Sequence, residues 1–131
     1  MATWTQFEDL PIWQDARTLS KEIYRITSCG DFSKDYRFCA QIRAAAGSIM
    51  DNIAEGYEKD NNKEFIQFLY ISKGSCGEVR SQLHRAWDAN FITEEVYNKM
   101  IDDTKSLNSA IFNFINYLKN AEISGNRNKK F

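Results

Sequence analysis

Apolar residues recur along this chain at alternating steps of three and four, the spacing that places them on one side of an α-helix. Phe38, Ile42, Ala45, Ile49 and Ile53 draw the clearest stripe and predict a helix over about Tyr36–Glu55 with one face on a core. Ahead of it, Ile12, Ala16, Leu19, Ile23 and Ile26 predict a first helix running to about Thr27. Beyond it, Phe65, Phe68, Leu69, Ser72, Cys76, Val79, Leu83, Ala86 and Trp87 predict a third. Val96, Met100, Thr104, Leu107, Ile111, Phe114 and Leu118 predict a fourth.

The residues between stripes are those that start and stop helices. Asp9-Leu10-Pro11 reads as a helix start, with Asp9 accepting orphan amide hydrogens and Pro11 bringing a preset φ and no amide to waste. The turn residues of Ser28–Ser33 break the period. Gly56 suits a left-handed C-terminal cap, Lys59–Asn62 a hairpin tip, and either Asn61 or Asn62 the cap of the third helix. Thr93 caps the fourth, with Glu94 and Glu95 in a first turn that favours negative charge. Four amphipathic helices on short connections predict an all-α fold, an antiparallel up-down-up-down four-helix bundle. It forms one domain over residues 1–121, and 122–131 is a polar, basic tail expected to be mobile.

Small residues add a second pattern. Ala40, Ala44 and Gly47 line up beside the second stripe, and the third helix holds Gly74 and Gly77, each costing a free helix roughly 1 kcal/mol relative to Ala. With the tip near Lys59, pairs whose numbers add to about 119 lie side by side. Gly47 and Ala44 then fall opposite Ser72, Gly74 and Ser75, so the middle helices are expected to nest closely through residues without bulk.

Composition narrows the class. A chain of 131 residues, 43% hydrophobic and 14% aromatic with one Pro, reads as a globular, helix-rich domain. A formal charge of −1 supplies no net field toward a polyanion, so nucleic-acid binding needs a local patch. No apolar run approaches a membrane span, and the first residues lack the basic and apolar regions of a signal peptide, so the expectation is a cytoplasmic protein with no membrane partner. Cys29, Cys39 and Cys76 are odd in number and without CxxC spacing, which makes free thiols the default there.

Candidate chemistry is sparse. His84 is the only histidine, and no acid stands three residues before it as di-iron bundles require. Ser48, Ser75 and Ser81 lie inside helices without a nucleophile-elbow signature. No catalytic residue, cofactor, metal or small-molecule substrate is therefore expected. Gln41, Arg43, Asn52, Glu55 and Glu78 are polar residues on otherwise packed helices. The hairpin register puts Arg43 within about a turn of Glu78, so an ion pair that fixes helix register is expected, with a polar site inside an assembly as the functional alternative. Arg17, Lys21 and Arg25 make a basic stripe four residues apart, and Lys73, Arg80 and His84 another. With Arg43 these are the candidate phosphate contacts, although such stripes are more often a solvated face. Aromatic residues exceed what four stripes absorb, and Trp4, Phe7, Trp13 and Tyr70 are candidate contacts between copies. Trp4 and Phe7 are equally compatible with packing over the end of their own bundle.

A family resemblance rests on particular residues. Phe7-Glu8-Asp9-Leu10 with Trp13 and Ala16, Gln41-Ile42-Arg43, Asn52-Ile53-Ala54-Glu55-Gly56, Glu64-Phe65, and Gly74-Ser75 with Glu78 carry it. Together they resemble the bacterial four-helix-bundle family named for proteins encoded in intervening sequences of large-subunit ribosomal RNA genes, from Phe7 to about Leu118. The resemblance implies a bundle assembled as a homopentameric ring, in a family without an established activity. By fold analogy alone, accessory proteins of diversity-generating retroelements use such a ring to bind nucleic acid and a reverse transcriptase. This chain departs from the pattern in having Ala44 where many members carry a second Arg, and in being slightly acidic where many are basic. The resulting expectation is a non-enzymatic, self-associating helical scaffold whose first partner is itself. The alternative is an RNA- or DNA-binding accessory protein, partner to a nucleic-acid enzyme, working through the basic patches of a ring.

Overall fold

Helices α1 (Pro11–Thr27), α2 (Tyr36–Tyr57), α3 (Asn62–Asp88) and α4 (Glu94–Ile123) make up nearly all of the computed structural model, which describes residues 4–123. Short 3₁₀ turns at Phe7–Asp9 and Gly30–Lys34 precede α1 and α2. The tail from Ser124 to Phe131 lies outside the described residues.

The ends follow local chemistry, with two departures from expectation. Asp35 caps α2 by accepting from the Phe38 amide at 3.1 Å. Asn61 caps α3 reciprocally, taking the Glu64 amide at 2.8 Å while its own amide donates to the Glu64 carboxylate at 2.7 Å. Thr93 caps α4 through the Val96 amide at 3.2 Å. α3 ends in a Schellman turn: Asn90 takes φ +61°, its amide donates to the Trp87 carbonyl, and the Phe91 amide donates to that of Ala86. Asp9, by contrast, is not the cap of α1. That position is Leu10, while the Asp9 carboxylate accepts from the Thr5 hydroxyl and the Gln6 amide group inside the preceding turn. Nor is Gly56 a left-handed cap, because α2 continues through it to Tyr57.

The predicted stripes turn inward together. Ile23, Ile42, Ile49, Ile53, Leu69, Val79, Leu83, Ile111, Ile115 and Leu118 have no accessible surface. α2 packs on α1 and α3, α4 packs on α3, and α1 meets α4 to close the up-down-up-down bundle. Each apolar face is thus removed from water on both sides, worth about 25 cal/mol per Å² of apolar surface buried.

The small residues do something other than expected. α2 and α3 do nest closely, but through hydroxyls and Gly56. Ser48 and Ser75 share a hydrogen bond at 2.9 Å, and the Ser72 hydroxyl donates to the Ile49 carbonyl at 2.8 Å. A Cβ on Gly56 would sit 2.7 Å from the Phe68 Cβ and 2.9 Å from the Phe65 ring. Gly74 and Gly77 face solvent with nothing within 4 Å of where a Cβ would stand, Gly47 would meet only Asp51, and Ala44 is exposed. The reason is angular: Ser72, Ser75, Cys76 and Val79 point inward, and each residue turns about 100° from the last, which carries Gly74 and Gly77 round to the outside.

Candidate interaction surface

Arg43 is held between α1 and α2 rather than paired across the hairpin. Its Nε donates to the Thr27 hydroxyl at 2.8 Å, its guanidinium reaches the Ser28 hydroxyl at 3.3 Å, and its Cζ lies 4.7 Å above the Tyr24 ring. Thr27 is buried and passes its own proton to the Ile23 carbonyl at 2.7 Å, so its hydroxyl both accepts and donates. The expected Arg43–Glu78 ion pair does not form, because Arg43 lies on the α1 side of α2 while Glu78 opens onto the α2–α3 groove.

That groove collects much of the family-motif polarity. Gln41, Ala44, Ser48, Glu78, Gln82 and Arg85 line it. Glu78 holds no ion pair among the described residues, and Arg85 stacks 4.3 Å above the Phe38 ring. Gln82 is 5% exposed, yet its Oε1 has no hydrogen-bond partner. Periodicity could not single out Gln82, since it falls just off the stripe of α3. Asn52 serves the seam instead, donating to the Ser48 carbonyl at 2.8 Å, and Glu55 is an exposed residue of α2.

The basic residues do not converge. Arg25 is bound by Glu22 at 2.9 Å, and that bond is the chief reason the Glu22 carboxyl titrates below its ordinary range. Arg17 lies over Trp13, Lys73 lies over Phe112 and donates no ion pair among the described residues, and Lys21 and Arg80 are solvated. His84 shares a hydrogen bond with the Tyr97 hydroxyl at 2.9 Å, and no cluster of metal-ligating side chains occurs among the described residues.

Most aromatics turn out to serve their own chain. Trp4 packs edge-on to Phe114 and Tyr117, Phe7 sits on Trp13, and Phe91 stacks on Phe32, which also contacts Phe38. Of the four aromatic candidates, Tyr70 is exposed, at 45%, with the Lys119 ammonium donating to its hydroxyl at 2.9 Å. The thiols divide by burial: Cys29 is exposed, Cys39 and Cys76 are buried, and burial pushes the Cys76 thiol up to about 12.

A four-helix bundle with a hydroxyl-laced central seam, a polar outer groove and exposed aromatics is a class of helical protein defined by surfaces. The chain belongs to the 23S rRNA-intervening sequence protein family, whose pattern it matches over residues 8–113. A crystal structure of a protein of unknown function from the S23 ribosomal protein family of Bacteroides thetaiotaomicron has the same fold. It is 21% identical, with a TM-score of 0.74 over 80% of this chain and 95% of that one. No curated protein matches the chain. No helix among the described residues is long and apolar enough to cross a membrane.

Proposed function

We propose that this protein is a non-enzymatic, self-associating helical scaffold of the cytoplasm, its copies joined in the ring of five that the family resemblance implies. The observation that carries the reading is the apolar surface left outside a complete core. Tyr24, Tyr36, Tyr70, Ile71 and Phe112 are each 45% exposed or more, outside a core that other apolar side chains already form. Exposed aromatic side chains of this size are the usual material of protein contacts. Size-exclusion chromatography coupled to light scattering tests it: a multimer at micromolar concentration is expected, and a monomer there refutes the scaffold.

A second reading is favoured by the solvated cations Lys21 and Arg80, which hold no ion pair among the described residues. Repeated around an assembly, they would offer phosphate contacts to RNA or DNA. Retardation of nucleic acid that weakens steeply with salt supports it, and no retardation at low salt removes it.

A further inference from the structure

We propose that the solvent face of the α2–α3 hairpin seats a second copy of this chain, which presents the outer side of its α1–α4 pair, head to tail. This inference rests on the self-association reading and assigns its contact.

Two independent features mark the hairpin face. Gly74 and Gly77 stand in the middle of α3 with open space where a Cβ would be, and Ala40 and Ala44 are exposed on α2. The chain's own packing makes no use of this smoothness, although glycine weakens a helix. In the groove between these helices, buried Gln82 offers an acceptor oxygen with no donor. A buried acceptor without a partner is costly, and a donor from outside would remove that cost once the Gln82 amide turns its shielded oxygen toward the groove. A smooth surface around an unmet acceptor suits another protein's helices.

Charge complementarity selects the occupant. Ser48 faces Ser75, so Arg37, eleven residues before Ser48, lies level with Ala86 and its neighbour Arg85. One end of the face therefore carries two arginines, with Asp88 about a turn beyond Arg85. The other carries Asp51 and Glu55, again without an ion pair among the described residues. On the opposite side of the molecule the order is reversed. His84 meets Tyr97, which places Glu95 about level with Arg85. Arg43 meets Thr27, so Asp51, eight residues along α2, lies level with Leu19 of antiparallel α1, between Arg17 and Lys21. Copies related by rotation about an axis along the helices keep every residue at its level. The arginine end of one copy then meets Glu95 of the next, and its acidic end meets Lys21 and Arg17.

The test is a charge exchange on the full chain, followed by light scattering over a dilution series with far-UV circular dichroism to confirm helicity. Both residues are exposed, so the substitutions leave the core intact. Arg37→Glu and Glu95→Arg should each weaken association about tenfold or more, since like charges then face one another. The double variant R37E/E95R should restore it. A wild-type chain that is monomeric overturns both this contact and the scaffold reading. A wild-type multimer that neither single variant weakens overturns the contact and leaves the scaffold standing. Single variants that dissociate with no recovery in the double overturn the pairing of these two ends.

Discussion

Gly56 and Gly74 are both helical glycines on the same hairpin, and they answer to different constraints. Gly56 lies where α2 crosses the start of α3, against the Phe68 Cβ and the Phe65 ring and carbonyl. Gly74 lies on the outer surface of α3 with nothing near it. The first is small because the chain's own backbone and rings occupy the space. The second is small where this chain offers no reason at all. A glycine in a helix thus marks a close approach only after its direction is known, and the direction here separates folding from contact with something outside.

The largest test of this contrast is Gly56→Ala. The new methyl would stand 2.7 Å from the Phe68 Cβ and 3.3 Å from the Phe65 carbonyl oxygen, and neither group is the free end of a flexible side chain. Overpacking of this kind costs about 1–3 kcal/mol, offset in part by alanine's better helix propensity. A fall of several degrees in the thermal midpoint is expected, and an unchanged midpoint would show that the hairpin tip yields easily.

The opposite sign is expected at the outer glycines. Gly74→Ala and Gly77→Ala add a methyl in open space and restrict the unfolded chain, so each should stabilise the fold by about 0.5–1 kcal/mol. The measurement is denaturant unfolding at protein concentrations low enough to dissociate any assembly. If either alanine destabilises the chain under those conditions, the outward placement of these residues is wrong.

The architecture was legible because burial leaves a periodic trace. The stripe through Phe38, Ile42, Ala45, Ile49 and Ile53 is fully inward, and the caps at Asn61 and Thr93 are where turn chemistry puts them. What residue size alone does not carry is direction around the helix, which only the angle to the apolar stripe gives. Glycine, alanine and serine are compatible with a seam or with solvent, and the seam took Ser48, Ser72 and Ser75 while the glycines went outward. Arg43 departs from its expected pairing because it can reach either neighbour of α2, and Thr27, Ser28 and the Tyr24 ring on α1 outbid Glu78 on α3. Gln82 left no signal, since its distinction is the absence of a partner, which only the folded neighbourhood defines.

An effect no larger than that of the outer glycines should come from Tyr57, next to Gly56 at the crowded end of the comparison. Its ring packs edge-on to Phe65, and its hydroxyl donates to the Trp4 carbonyl at 3.1 Å, pinning the segment ahead of α1 over the hairpin tip. Burial raises the hydroxyl above its ordinary value of 10.0, with Glu58 and Asp9 adding to the shift. A raised value means that the folded chain favours the neutral phenol more than the unfolded chain does. Its contribution is therefore complete below about pH 10 and is lost as pH climbs through the folded value. Tyr57→Phe should cost about 0.5–1 kcal/mol at neutral pH, the usual net worth of one hydrogen bond. The same variant should lose less stability than wild type between neutrality and the alkaline limb, so the two denaturation curves draw together as pH rises. Parallel curves across that range would mean that Tyr57 stays accessible to water, and that the hairpin tip is looser than its ring and carbonyl contacts indicate.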